Sequence, residues 1–111
     1  MPTVLPQDSN DIPLPAMRLK TDRAHAVSVS TTSARNSAAF DTETRIVSLY
    51  ATGPVYIKFG SSTVIATTSD HYFPEGFYYD VAIGGDSTAQ NTHIATLAVD
   101  YDCMLYISEK H

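Results

Sequence analysis

The sequence predicts an all-β sandwich, of immunoglobulin-like or jelly-roll kind, on three observations. Seven or eight short runs rich in Val, Ile, Thr, Tyr and Phe recur at nearly regular spacing along 111 residues, with apolar and polar positions alternating at period two. Turn-forming dipeptides and tripeptides separate them, at Gly53-Pro54, Gly60-Ser61-Ser62 and Gly84-Gly85. Nowhere does an apolar stripe of period 3.6 run long enough for an amphipathic helix. Such a pattern leaves the strand order open.

Taken in order, the chain divides into an extended, Pro-rich N-terminal arm over residues 1–20 and a β-sandwich domain over 21–111. Pro2, Pro6, Pro13 and Pro15 fall in the arm, and each fixes φ, removes a donor and pushes its predecessor toward extended geometry. Val4, Leu5, Ile12, Leu14, Met17 and Leu19 are too many apolar residues for a solvated tail. An arm ordered against a partner is expected; fully extended, it reaches about 65–70 Å.

Residues 25–30, with Val27 and Val29 between serines, read as a half-buried strand. Residues 31–44 follow neither period and read as a loop, pinned to the core by Ala38-Ala39-Phe40. The run 45–59 is the centre of the pattern. Two β-rich halves meet at Gly53-Pro54, and Val55, Ile57 and Phe59 face one way while Tyr56 and Lys58 face the other, as in the middle of an antiparallel sheet with one wet face. Gly60-Ser61-Ser62 reads as a hairpin turn into a strand over 63–67. A polar loop over 68–76 leads to a strand over 77–83, in which Phe77, Tyr79, Val81 and Ile83 share a face. After Gly84-Gly85-Asp86-Ser87 come a strand over 93–99, the turn Asp100-Tyr101-Asp102, and a last strand over 103–108.

Composition narrows the function. Charged residues are 17% of the chain, against about 25% in a typical domain, which suits a surface held largely against other protein. Net charge is −5 and lies in the second half: residues 1–55 carry five basic and five acidic side chains, residues 56–111 two and seven. An acidic, lysine-poor half repels phosphate, so no nucleic-acid partner is expected. The N-terminus lacks the basic and apolar regions of a secretory signal, and no apolar run approaches membrane-spanning length, so synthesis and use in a cytoplasm, without a membrane, are expected. Cys103, the single cysteine, lies in phase with Leu105 and Ile107 and reads as a small buried hydrophobe.

Chemistry-bearing residues are sparse. Asp70, His71 and Glu75 share one loop, but no nucleophile or Gly-rich elbow stands at recognisable spacing, and they read as a hydrated surface loop. His25, His71, His93 and His111 lack metal-site spacing. Asp80, Asp86, Asp100 and Asp102 lack the glycine and distal glutamate of a calcium loop and read as turn carboxylates. No enzyme activity, cofactor or metal is expected. The seven tyrosines are the compositional oddity; Tyr72, Tyr78, Tyr79, Tyr101 and Tyr106 are the candidate self-association face. Exposed tyrosines also stack on sugar rings, so a carbohydrate- or receptor-binding β-sandwich module is the alternative reading.

The runs Arg45-Ile46-Val47-Ser48-Leu49-Tyr50-Ala51, Pro54-Val55-Tyr56-Ile57-Lys58-Phe59-Gly60, 66–76 (Ala-Thr-Thr-Ser-Asp-His-Tyr-Phe-Pro-Glu-Gly) and Leu105-Tyr106-Ile107-Ser108-Glu109 resemble small structural proteins of tailed bacteriophages. With the chain length and Pro-rich arm, the resemblance is to the capsid decoration proteins (staple or cement proteins) of epsilon-type short-tailed Salmonella phages, over residues 24–110. It implies a jelly-roll-like sandwich on the outer surface of an icosahedral virion head. It further implies pairing as a homodimer, and the clamping of neighbouring copies of the major capsid protein. No catalytic residue is carried over, and on the same resemblance the alternative carbohydrate- or receptor-binding module would belong to a phage tail or fibre. On the capsid reading Val4, Leu5, Ile12, Leu14 and Met17 are the apolar anchors of the capsid-binding arm, and Arg18, Lys20 and Arg23 are expected to meet carboxylates of the shell.

Overall fold

A computed structural model describes residues 18–85 and 87–111. They form eight strands: β1 (Leu19–Val29), β2 (Ala34–Arg35), β3 (Ile46–Ala51), β4 (Val55–Gly60), β5 (His71–Phe73), β6 (Tyr78–Ala82), β7 (His93–Ala98) and β8 (Cys103–Lys110). Two four-stranded sheets result, ordered β1-β8-β3-β6 and β2-β7-β4-β5, with antiparallel pairing throughout. Only β4 and β5 are consecutive in sequence and paired in one sheet; every other connection carries the chain from one sheet to the other. The inner faces meet in a single core. Val27, Val29, Val47, Leu49, Ala51, Leu105 and Ile107 come from the first sheet, and Val55, Ile57, Phe73 and Ile94 from the second. Period-two alternation puts them there, since every second residue of a strand faces the same side.

Residues 45–59 differ from the expectation of one sheet centre. β3 and β4 lie in opposite sheets, and Gly53-Pro54 is the corner between them. The corner is packed: a Cβ on Gly53 would lie 2.7 Å from the Tyr101 ring and 2.9 Å from Cys103 Cβ. Pro54 has no N–H to extend a ladder. Within β4 the expected facing holds, with Val55 and Ile57 buried and Lys58 exposed.

No strand forms over 63–67. Val64 N–H donates to the Ser61 carbonyl at 3.1 Å in a turn, and Val64 and Ala66 lie over the outer face of the second sheet against Ala95 and Leu97. Ser33 Oγ accepts from Ala66 N–H at 2.9 Å, and Arg35 donates to the Val64 carbonyl at 3.3 Å. Outward apolar residues on β7 need cover, and the 61–70 loop supplies it. The polar stretch after it contains the short β5.

At the start, β1 begins at Leu19, so Leu19 and Lys20 belong to the sheet rather than to the segment preceding it. Five residues separate Leu19 from Ala24 while two separate their partners Lys110 and Ser108, so three extra residues bulge out of β1. Asp22 takes the left-handed backbone, with φ of 63°. Phe40 is buried in the core, as its loop position predicts, and Cys103 is half-buried against it.

Candidate functional site

The outer face of the first sheet is the principal candidate. Inward Val47, Leu49 and Ala51 leave Tyr50 outward, and the register places it opposite Tyr106 on β8 and Tyr78 on β6. Ala26 of β1 stands opposite Tyr106. A row of three aromatic rings thus crosses the sheet, with Tyr106, Tyr50 and Tyr78 45%, 37% and 58% exposed. Around it lie small or neutral outward residues of the same strands: Ala24, Ser28, Met104 and Ser108. Asp80 and Lys110, which are charged, satisfy each other at 2.9 Å; Asp80 also accepts from Ser48, and Lys110 sits 5.4 Å from the Tyr78 ring centre. The Ser48 hydrogen bond and then the Lys110 contact hold the Asp80 carboxyl below the usual range. No described residue covers this face, whereas the 61–70 loop covers its counterpart on the second sheet.

The expected tyrosine set is therefore divided. Tyr78 and Tyr106 stand together, joined by Tyr50, which residue reasoning passed over although it lies three residues after Val47 in the run that fixes its phase. Tyr72 packs edge-on against Tyr56 on the second sheet, with ring centres 6.3 Å apart. Tyr101, in the turn before β8, donates to Glu75 at 3.0 Å, which raises its pKa.

Tyr79 opens a second feature. β5 and β6 are the edge strands on the same side of the sandwich, and the sheets do not close there. A groove of about 620 Å³ results, lined chiefly by Ile57, Phe59, Phe73, Phe77, Tyr79 and Val81. Phe77, Tyr79, Val81 and Ile83 were expected to share a face; Ile83 is buried, while Phe77 and Tyr79 are 64% and 61% exposed because no opposing strand extends over them. Phe73 and Tyr79 meet edge-to-face at 6.5 Å across it.

A third cluster was missed by residue reasoning. Glu109 is in phase with Leu105 and Ile107 on β8 and is fully buried. Its Oε2 lies 2.9 Å from Arg23 Nε and 2.6 Å from His25 Nε2, and its Oε1 accepts from Asp41 N–H at 2.9 Å and Thr44 Oγ1 at 2.5 Å. Burial pushes this carboxyl upward, but the bonds from Thr44, His25 and Asp41 and the charge of Arg23 outweigh it, and the pKa is lowered. The β1 bulge delivers Arg23 to this site, where it also donates to the Ala39 carbonyl at 2.6 Å. Lys20 Nζ is 3.9 Å from Asp41. Arg18 pairs through its backbone with His111. Of the three expected shell-binding cations, Arg23 thus has internal partners, Lys20 a distant one, and Arg18 an exposed side chain. The anchors Val4, Leu5, Ile12, Leu14 and Met17 lie outside the described residues.

Asp70, His71 and Glu75 are not drawn into one constellation. Asp70 accepts from Thr67 N–H at 2.6 Å, which holds its pKa down, Glu75 is taken by Tyr101, and His71 is exposed. Among the described residues no three His, Cys, Asp or Glu side chains converge as a metal site requires. No protein-family model matches the chain, and neither the curated proteins nor the solved structures include a significant match.

Proposed function

We propose that this chain is a non-enzymatic structural virion protein that binds the outer surface of an icosahedral phage capsid, pairs with a second copy, and clamps neighbouring copies of the major capsid protein. The observation that carries the proposal is the uncovered Tyr106-Tyr50-Tyr78 row. Aromatic residues on a flat, weakly charged face are the composition of a protein interface core. The strand orders β1-β8-β3-β6 and β2-β7-β4-β5, with six of seven connections crossing between sheets, support a jelly-roll reading, which joins eight strands as two interleaved Greek keys. The resemblance to phage decoration proteins supplies the shell as the partner. The Pro-rich segment before β1 is its reach.

The mechanism is mass action. A protein that binds the assembled shell and not loose subunits stabilises assembly by its binding free energy, and symmetric copies add avidity. The apolar groove favours this reading over sugar binding, because its lining offers few groups to hydrogen-bond hydroxyls. The test is co-sedimentation of the full chain with emptied phage heads lacking it, beside Tyr50→Asp/Tyr78→Asp and a chain without residues 1–17; the cut stops short of β1 so that the sheet stays intact. Saturable binding that raises the heads' resistance to heat, and that both changes weaken, is the expected result. Absent binding, with an oligosaccharide that raises the melting temperature instead, would overturn it in favour of the tail-fibre reading.

A further inference from the structure

We propose that the groove between β5 and β6 receives the Ile12-Pro13-Leu14-Pro15 segment of a second copy of this chain. Two exposed aromatic rings, Phe77 and Tyr79, stand over an apolar floor of Ile57, Phe59, Phe73 and Val81, and no described residue covers them. Aromatic-lined grooves take proline-rich segments, because a proline-fixed extended chain loses little entropy on docking and presents proline rings and aliphatic side chains around a three-residue turn. The segment Ile12-Pro13-Leu14-Pro15 has that character, with two aliphatic residues alternating with two prolines in sequence.

Reach assigns the segment to another copy. β1 and β6 are the opposite edges of the first sheet, and Leu19, Lys110, Ile46 and Ala82 lie in one cross-strand row. Three strand spacings of about 4.8 Å place Ala82 roughly 14 Å from Leu19, and the three residues from Ala82 to Tyr79 add about 10 Å along β6. The straight line from Leu19 to Tyr79 is thus about 17 Å and runs through the sheet itself. Leu14 precedes Leu19 by five residues, which span about 15 Å at 3.1 Å per residue. At that pitch Leu14 falls short of Tyr79 even along the straight line, and the path around the sandwich is longer, whereas the groove of a neighbouring molecule sets no such limit.

The proposal concerns self-association with no shell present, so it stands or falls separately from the capsid reading. Sedimentation equilibrium of the full chain is compared with Leu14→Asp and with Phe77→Asp, the latter at a position 64% exposed. Each variant is expected to raise the self-dissociation constant at least tenfold with an unchanged melting temperature in dilute solution. In a Cys103→Ala background, a Leu14→Cys chain mixed with a Phe77→Cys chain is expected to form a mixed disulfide far faster than one mixed with Ile65→Cys, whose side chain is exposed outside the groove. A chain that stays monomeric at every concentration, unchanged self-association in Leu14→Asp, or a concentration-independent disulfide within a Leu14→Cys/Phe77→Cys chain would each overturn it. So would loss of pairing in Tyr50→Asp with Leu14→Asp neutral, which would put the contact on the sheet face.

Discussion

Glu109→Ala is expected to be among the most damaging single substitutions in the domain. The change removes a fully buried carboxylate and orphans four donors: Arg23 Nε, His25 Nε2, Asp41 N–H and Thr44 Oγ1. Thr44 is itself fully buried, so water cannot replace its partner without a local opening. Breaking one side of a buried charge cluster costs about 3–5 kcal/mol, because the remaining groups keep their desolvation and lose their compensation. With about 4 kcal/mol lost and a urea dependence of roughly 1–1.5 kcal/mol/M for a chain of this size, the midpoint falls by about 3 M. Urea titration followed by circular dichroism measures it. The triple variant Arg23→Met/His25→Phe/Glu109→Leu removes both sides together; it is expected to recover most of the loss, since an apolar replacement of a buried ion cluster is often neutral. A loss below about 1 kcal/mol in Glu109→Ala, or a triple variant no better than the single, would refute the reasoning.

Stability is expected to fall with pH in two stages. Burial, followed by the charges of Arg35 and His25, lowers the His93 pKa from about 6.5, so below pH 6.5 the unfolded chain gains a proton first and stability declines as pH falls toward the folded value. The lowered Glu109 pKa contributes stability that is full above the unfolded value of about 4.3 and is lost as pH drops through the folded one. Urea midpoints from pH 8 to pH 3 check both stages: His93→Asn should flatten the first limb and Glu109→Gln the second. Gly53→Ala is expected to cost about 1–3 kcal/mol, since the new methyl must displace the Tyr101 ring and Cys103, and calorimetry showing no change would refute the corner's tight packing. Thr96→Val is expected to raise stability by about 1 kcal/mol in a urea titration, because the Thr96 hydroxyl is buried with no hydrogen-bond partner among the described residues.

Period-two alternation was enough to place β4 and β8 with their facing, and strand composition to place β7, because side-chain direction in a strand is local. Phe40 was legible as a core anchor for the same reason: a large ring in a polar loop has few alternatives to burial. The alternation says nothing about which strand lies beside which. That is why β3 and β4 read as one sheet centre although Gly53 and Pro54 fold them into opposite sheets, and why the Tyr106-Tyr50-Tyr78 row could not be seen from residues 28 positions or more apart. Val64 and Ala66 have strand composition, yet the uncovered Ala95 and Leu97 draw them over the sheet as a loop. Glu109 carried a signal in its phase with Leu105 and Ile107, but its partners arrive from residues 65 to 86 positions away, through a bulge that no local rule predicts. The sequence by itself determined strand content, facing and an acidic, weakly charged surface, since these depend on neighbours in the chain. Tertiary structure alone decided sheet order, the open groove and the buried carboxylate, since these depend on which distant segments meet.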